Sequence, residues 1–67
     1  MPIANNLFID YIGRGQLVIY NMMGQVVGTH DLSKQTNMIN IENLESGVYV
    51  IRLVDGKTSE THKFTKK

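Results

Sequence analysis

Histidines, carboxylates, hydroxyls and glycine-rich loops are the groups through which this chain could do chemistry, and their spacing assembles no site. His30 precedes Asp31 and His62 precedes Lys63 in stretches that read as strands, where adjacent side chains point to opposite faces. Neither pair can close on one ion, and a zinc centre needs several converging ligands. The six carboxylates stand singly at Asp10, Asp31, Glu42, Glu45, Asp55 and Glu60, so an acid and base pair has no basis in the sequence. Ser33, Ser46 and Ser59 lie outside any Gly-x-Ser-x-Gly turn that would expose a nucleophile. Gly13-Arg14-Gly15 has no helix after it to aim a dipole at phosphate, so it reads as a turn. The expectation is a chain with no catalytic residue, no metal and no cofactor.

Bulk properties point the same way. The chain has 67 residues, 42% of them hydrophobic, which makes one domain over residues 1–67 with a single thin core. A domain of this size buries only about 60% of the surface its unfolded chain exposes, too little to enclose a substrate. Without cysteine there is no disulfide, thiolate metal site or thiol nucleophile, and the redox compartment stays open. Net charge is +1, but residues 52–67 carry Arg52, Lys57, Lys63, Lys66 and Lys67 against Asp55 and Glu60. A nucleic-acid surface would interleave aromatics in a larger basic patch, and Phe64 is the one aromatic ring of a Phe, Tyr or Trp there; no nucleic-acid partner is expected. The chain has no apolar run of the ~18 residues a spanning helix needs, and its first residues lack a secretory-signal pattern. Met1 directly before Pro2 reads as a start placed at a domain boundary, with any N-terminal signal left out.

The elements that position these residues are strands. Leu7-Phe8-Ile9-Asp10-Tyr11-Ile12 and Gln16-Leu17-Val18-Ile19-Tyr20, separated by Gly13-Arg14-Gly15, read as an antiparallel hairpin. Asn21 opens the next turn and Gly24 is its left-handed residue. Met22 and Met23 are a turn pair, one of them plugging the end of the fold. Val26 to Leu32 forms a third strand with a bulge site at Gly28, followed by the polar connection Ser33-Lys34-Gln35. Thr36 to Ile41 alternates Ile39 and Ile41 with Asn40, the period of a half-buried strand. Turns recurring at about ten residues fit a sandwich or barrel.

Leu44-Glu45-Ser46-Gly47-Val48-Tyr49, leading into Val50-Ile51-Arg52-Leu53-Val54, is the most specific stretch. A turn with Leu44 tucked inward delivers Tyr49 to the start of a strand, the layout of a tyrosine corner, whose hydroxyl bonds backbone just upstream. Immunoglobulin domains keep a cysteine two residues after that tyrosine, and here the position is Ile51. Tyr49, Ile51 and Leu53 share the core face by alternation. The expected fold is all-β: a small immunoglobulin-like antiparallel β-sandwich of six to seven short strands, with Tyr20, Asn21, Gly24, Gln25, Leu44 and Tyr49 in structural roles. Asp55-Gly56 marks a final hairpin with two open registers. A two-residue turn sets Glu60 opposite Ile51. A three-residue loop sets Arg52 opposite Glu60, and it is favoured because opposite charges across strands gain roughly 0.2–1 kcal/mol. Thr58 to Thr65 is then a polar edge strand.

Taken in order, Leu17-Val18-Ile19-Tyr20-Asn21-Met22-Met23-Gly24-Gln25-Val26-Val27, Ile39-Asn40-Ile41 with Asn43-Leu44, Ser46-Gly47-Val48-Tyr49-Val50-Ile51-Arg52-Leu53 and the basic ending Lys66-Lys67 resemble a type A C-terminal sorting domain of the type IX secretion system. Pro2-Ile3-Ala4-Asn5-Asn6 is similar to the end of that family's opening Pro-Asn-Pro segment. The resemblance spans essentially the whole chain, and the last strand departs from it in being less apolar.

The resemblance implies a domain at the end of a Gram-negative cargo that passes through the periplasm. The outer-membrane translocon would recognise it, and a sortase-like signal peptidase would remove it as the cargo is anchored at the surface or released. The secretion-signal residues it implies are Gly47, Val48, Tyr49, Val50, Ile51, Arg52, Leu53, Gly56, Lys57, Lys63, Phe64, Lys66 and Lys67. Partners are the translocon, the peptidase and the fused cargo, with weak homodimerisation through exposed strand edges as a further expectation. An exposed last strand could be read by strand addition. The alternative is an immunoglobulin-like adhesive or carbohydrate-binding module of a secreted enzyme, which calls for an exposed aromatic platform or a calcium cage.

Overall fold

In the computed structural model the described residues are 2–3, 5–10, 14–32, 36–56 and 58–67. Tyr11, Ile12 and Gly13 of the first hairpin, the connection Ser33-Lys34-Gln35, and Lys57 fall outside them. The strands are β1 (Pro2–Ile3), β2 (Asn6–Asp10), β3 (Gly15–Tyr20), β4 (Val26–Leu32), β5 (Thr36–Asn40), β6 (Gly47–Val54) and β7 (Ser59–Lys66). An antiparallel sheet runs β7-β6-β3-β4, β1 adds to β7 in parallel, and β2 and β5 form a second, two-stranded sheet. The described residues contain no helix. The small all-β sandwich that the turn spacing predicts is what the chain adopts.

Alternation decides what lies between the sheets. Leu17 and Ile19 of β3, Ile51 and Leu53 of β6, and Leu32 of β4 meet Leu7, Ile39 and Ile41 in one buried cluster, with Ile9 and Leu44 packed against it. Tyr49, Ile51 and Leu53 therefore face the core as their spacing requires. β6 has β3 on one flank and β7 on the other, and its β-branched and aromatic run suits a strand paired on both sides.

Three expectations are corrected. β2 and β3 do not form a hairpin: β3 is flanked by β4 and β6, so β2 crosses to the other sheet and pairs with β5, Leu7 opposite Ile39. Gly15, assigned to the turn, lies inside β3 opposite Leu32. Neither methionine plugs the sandwich, for Met22 and Met23 are both exposed. Asn21 closes that turn instead: its Oδ1 accepts from the Met23 and Gln25 amides at 2.9 and 3.0 Å, and its Nδ2 donates to Gln25 Oε1 at 2.9 Å. Gly24 takes the expected positive φ of 85°. The bulge expected at Gly28 lies one residue earlier, at Val27, because Ile19 faces Gly28 while Tyr20 faces Val26.

The last hairpin takes neither register considered above. Val54 pairs with Ser59, leaving a four-residue loop, Asp55 to Thr58. The reason is the Asp55 carboxylate, whose Oδ1 accepts from both the backbone N–H and the hydroxyl of Thr58, at 2.9 and 2.8 Å. Gly56 supplies the positive φ of 94°. Arg52 accordingly faces Thr61, and Glu60 faces Leu53. Glu60 is exposed there.

Leu17 is 0% exposed at the centre of β3. Leu17→Ala should cost about 2–5 kcal/mol, a large part of the stability of so small a domain. The midpoint of urea unfolding should fall accordingly, and an unchanged midpoint would remove Leu17 from the core.

Candidate functional site

The segment expected to carry the signal lies on β6, β7 and the loops that hold them. At its base, Asn40 Oδ1 accepts from the Glu42 amide at 2.9 Å and the Leu44 amide donates to the Ile41 carbonyl at 3.0 Å. This fixes the turn ahead of β6. Tyr49 then donates its hydroxyl to the Glu45 carbonyl at 2.6 Å, which is the predicted tyrosine corner. Its ring lies over Phe64 of β7, centroids 5.5 Å apart and planes 20° from parallel. Gly47 sits between turn and strand at φ 154°, a conformation that L residues rarely adopt.

The expected signal residues divide into groups. Tyr49, Ile51, Leu53 and Phe64 are buried and hold the sheets together. Val48, Arg52 and Lys63 are exposed on the outer face of the larger sheet, Val48 opposite Thr65, Val50 opposite Lys63 and Arg52 opposite Thr61. Gly47 and Lys66 are brought face to face, while Gly56 lies at the far end of the hairpin. Lys57 is outside the described residues.

Lys66 departs most from a solvated basic ending. It is the last residue of β7, only 8% exposed, with Nζ donating to the Lys67 carbonyl at 3.3 Å. The cause is parity: Lys66 stands two residues after Phe64, so its aliphatic stem follows Phe64 onto the inner face. Among the described residues the exposed cations of this region are Arg52, Lys63 and Lys67. Parity counted along β7 from Phe64 carries this information, and the sequence reading did not follow it. Sequence reasoning also missed that Pro2 and Ile3 lie beside Thr65 and Lys66, a pairing that two residues give no pattern to reveal.

Elsewhere the geometry offers little chemistry. His62 Nε2 lies 3.4 Å from Glu60 Oε2, both side chains more than half exposed; they are two apart on β7 and so share a face. His30 is exposed. A shallow cavity of about 170 Å³ is lined by Ile19, Val27, Gly28, His30, Asn40, Ile41, Asn43 and Leu44, which is small for a ligand pocket and has no carboxylate. Among the described residues no group of His, Asp and Glu is arranged to hold a metal, and no helix is long and apolar enough to cross a membrane.

The whole chain, residues 1–67, matches the family described as the secretion system C-terminal sorting domain. The chain belongs to the type IX secretion sorting-domain family. Comparison with curated proteins and with solved structures gives no match. Membership marks this sorting domain as a C-terminal type IX secretion signal, in a family that is not one of enzymes. It implies a secreted or cell-surface protein that passes through the periplasm and engages the type IX machinery.

Two substitutions test the corner of this sorting domain. Tyr49→Phe removes one hydrogen bond and keeps the ring stack, so stability should drop by about 0.5–1.5 kcal/mol. Gly47→Ala should cost about 1–3 kcal/mol through backbone strain alone, since an added Cβ meets nothing within 4 Å. Denaturant midpoints measure both, and equal stability of the two variants and the parent would refute the corner.

Proposed function

We propose that this domain works as a folded recognition element, read by the outer-membrane translocon along the β6–β7 hairpin and its exposed cations Arg52, Lys63 and Lys67. The cargo it ends is carried across the outer membrane, a sortase-like peptidase then removes the domain, and the cargo is attached at the surface or released. The observation that carries this reading is the burial of Lys66. A linear basic tail would leave that lysine in water, whereas here the end of the chain is part of the sheet, and what remains for a partner is a shape. The outer edge of β7 from Ser59 to Phe64 has no described strand beside it. Strand addition there would draw affinity from backbone groups and specificity from alternate side chains.

Fusing the domain to a periplasmic reporter in a secreting host tests this. Lys63→Glu should reduce surface delivery several-fold with the domain still folded, His30→Ala should leave it unchanged, and removing residues 61–67 should hold the reporter in the periplasm. That deletion also takes Phe64 from the core, so the charge reversal is the decisive variant. Delivery of the Lys63→Glu fusion at the level of the parent would overturn the proposal.

A further inference from the structure

We infer that the open outer edge of β7, residues 59–64, is the docking strip for the linker that joins this domain to its cargo. The inference rests on the sorting-domain reading, which places a cargo upstream, and concerns what that cargo's last residues do. β1 lies parallel to β7, with Pro2 beside Thr65 and Ile3 beside Lys66. Parallel strands advance together, residue for residue. Chain that leads into Pro2 in the same extended direction therefore runs back beside Phe64, Lys63, His62, Thr61, Glu60 and Ser59 in turn. At ~3.3 Å per residue this strip is about 20 Å long.

The strip is suited to backbone pairing with little demand on sequence. An edge strand presents alternate N–H and C=O groups outward. The side chains along it are polar: Ser59, Thr61 and Lys63 on the outer face, Glu60 and His62 on the other, all exposed, with Phe64 buried beneath. They offer hydroxyls and charges of both signs, and no apolar pocket that would select particular linker residues. The existing ladder at Thr65 and Lys66 fixes direction and register in advance, so the linker extends an interface already begun. A partner that adds its own strand to this edge has to displace the linker first, which frees the linker as the domain is recognised.

Hydrogen exchange at the amides of residues 59–64 tests this with no translocon present, so a negative secretion experiment and a negative result here remain distinguishable. Two chains are compared: one preceded by the cargo's own six residues upstream of Pro2, the other starting at Pro2. Those β7 amides that do not bond to β6 should exchange at least tenfold more slowly in the longer chain, independently of protein concentration. Replacing the six residues by Gly-Ser-Gly-Ser-Gly-Ser, a flexible sequence with little tendency to form strands, should reduce that protection. Equal rates in the first two chains would overturn the inference. So would protection that rises with concentration, which would give the edge to a second copy.

Discussion

The Tyr49 side chain binds together parts of the molecule that would otherwise meet only through the sheets. Its hydroxyl holds the Glu45 carbonyl at 2.6 Å, and its ring lies against Phe64. The first contact sets how the chain enters β6; the second ties β6 to the end of β7. In a cysteine-free domain nothing covalent duplicates this work. A net hydrogen bond of about 1 kcal/mol is small beside the hydrophobic core, but it is directional, and the core is not. It determines where β6 begins, and the ladders to β3 and β7 follow from that.

The sandwich is uneven, and the unevenness shapes its surface. A two-stranded sheet stands against a five-stranded one, and along one face of β7 Phe64 and Lys66 are buried while Glu60 and His62 are exposed. The two ends of the larger sheet are protected differently. β4 is interrupted by the bulge at Val27 and carries His30 and Asp31, features that discourage another strand from pairing. β7 relies on polar side chains and on the short parallel β1. One edge is blunted, and the other remains able to accept a strand.

Much of this was legible in the residues. The spacing of Tyr49, Ile51 and Leu53 gave the core face of β6, Asn21 and Gly24 gave the turn, and Ser46-Gly47-Val48-Tyr49 gave the corner, because each depends on chemistry local in sequence. Strand partners were less legible. Leu7 to Ile12 looks the same whether it pairs with the next strand or with β5, since pairing is decided by which flanks of β3 remain free. The last hairpin was misjudged for a related reason: Asp55-Gly56 suggests a short turn, but the double acceptance by the Asp55 carboxylate lengthens it to reach Thr58. The candidate surface was readable as a segment and not as a face, because the burial of Lys66 emerges only when parity is followed to the end of the chain.

The parallel pairing of Pro2 and Ile3 with Thr65 and Lys66 has a mechanical meaning. A tether attached ahead of Pro2 and a pull applied beyond Lys66 act in opposite directions along neighbouring strands that point the same way. Tension on the two termini is thus shear, shared among the hydrogen bonds of the ladder at once, and not peeling, which would open them singly. A load applied to both termini thus meets the geometry that best resists tearing.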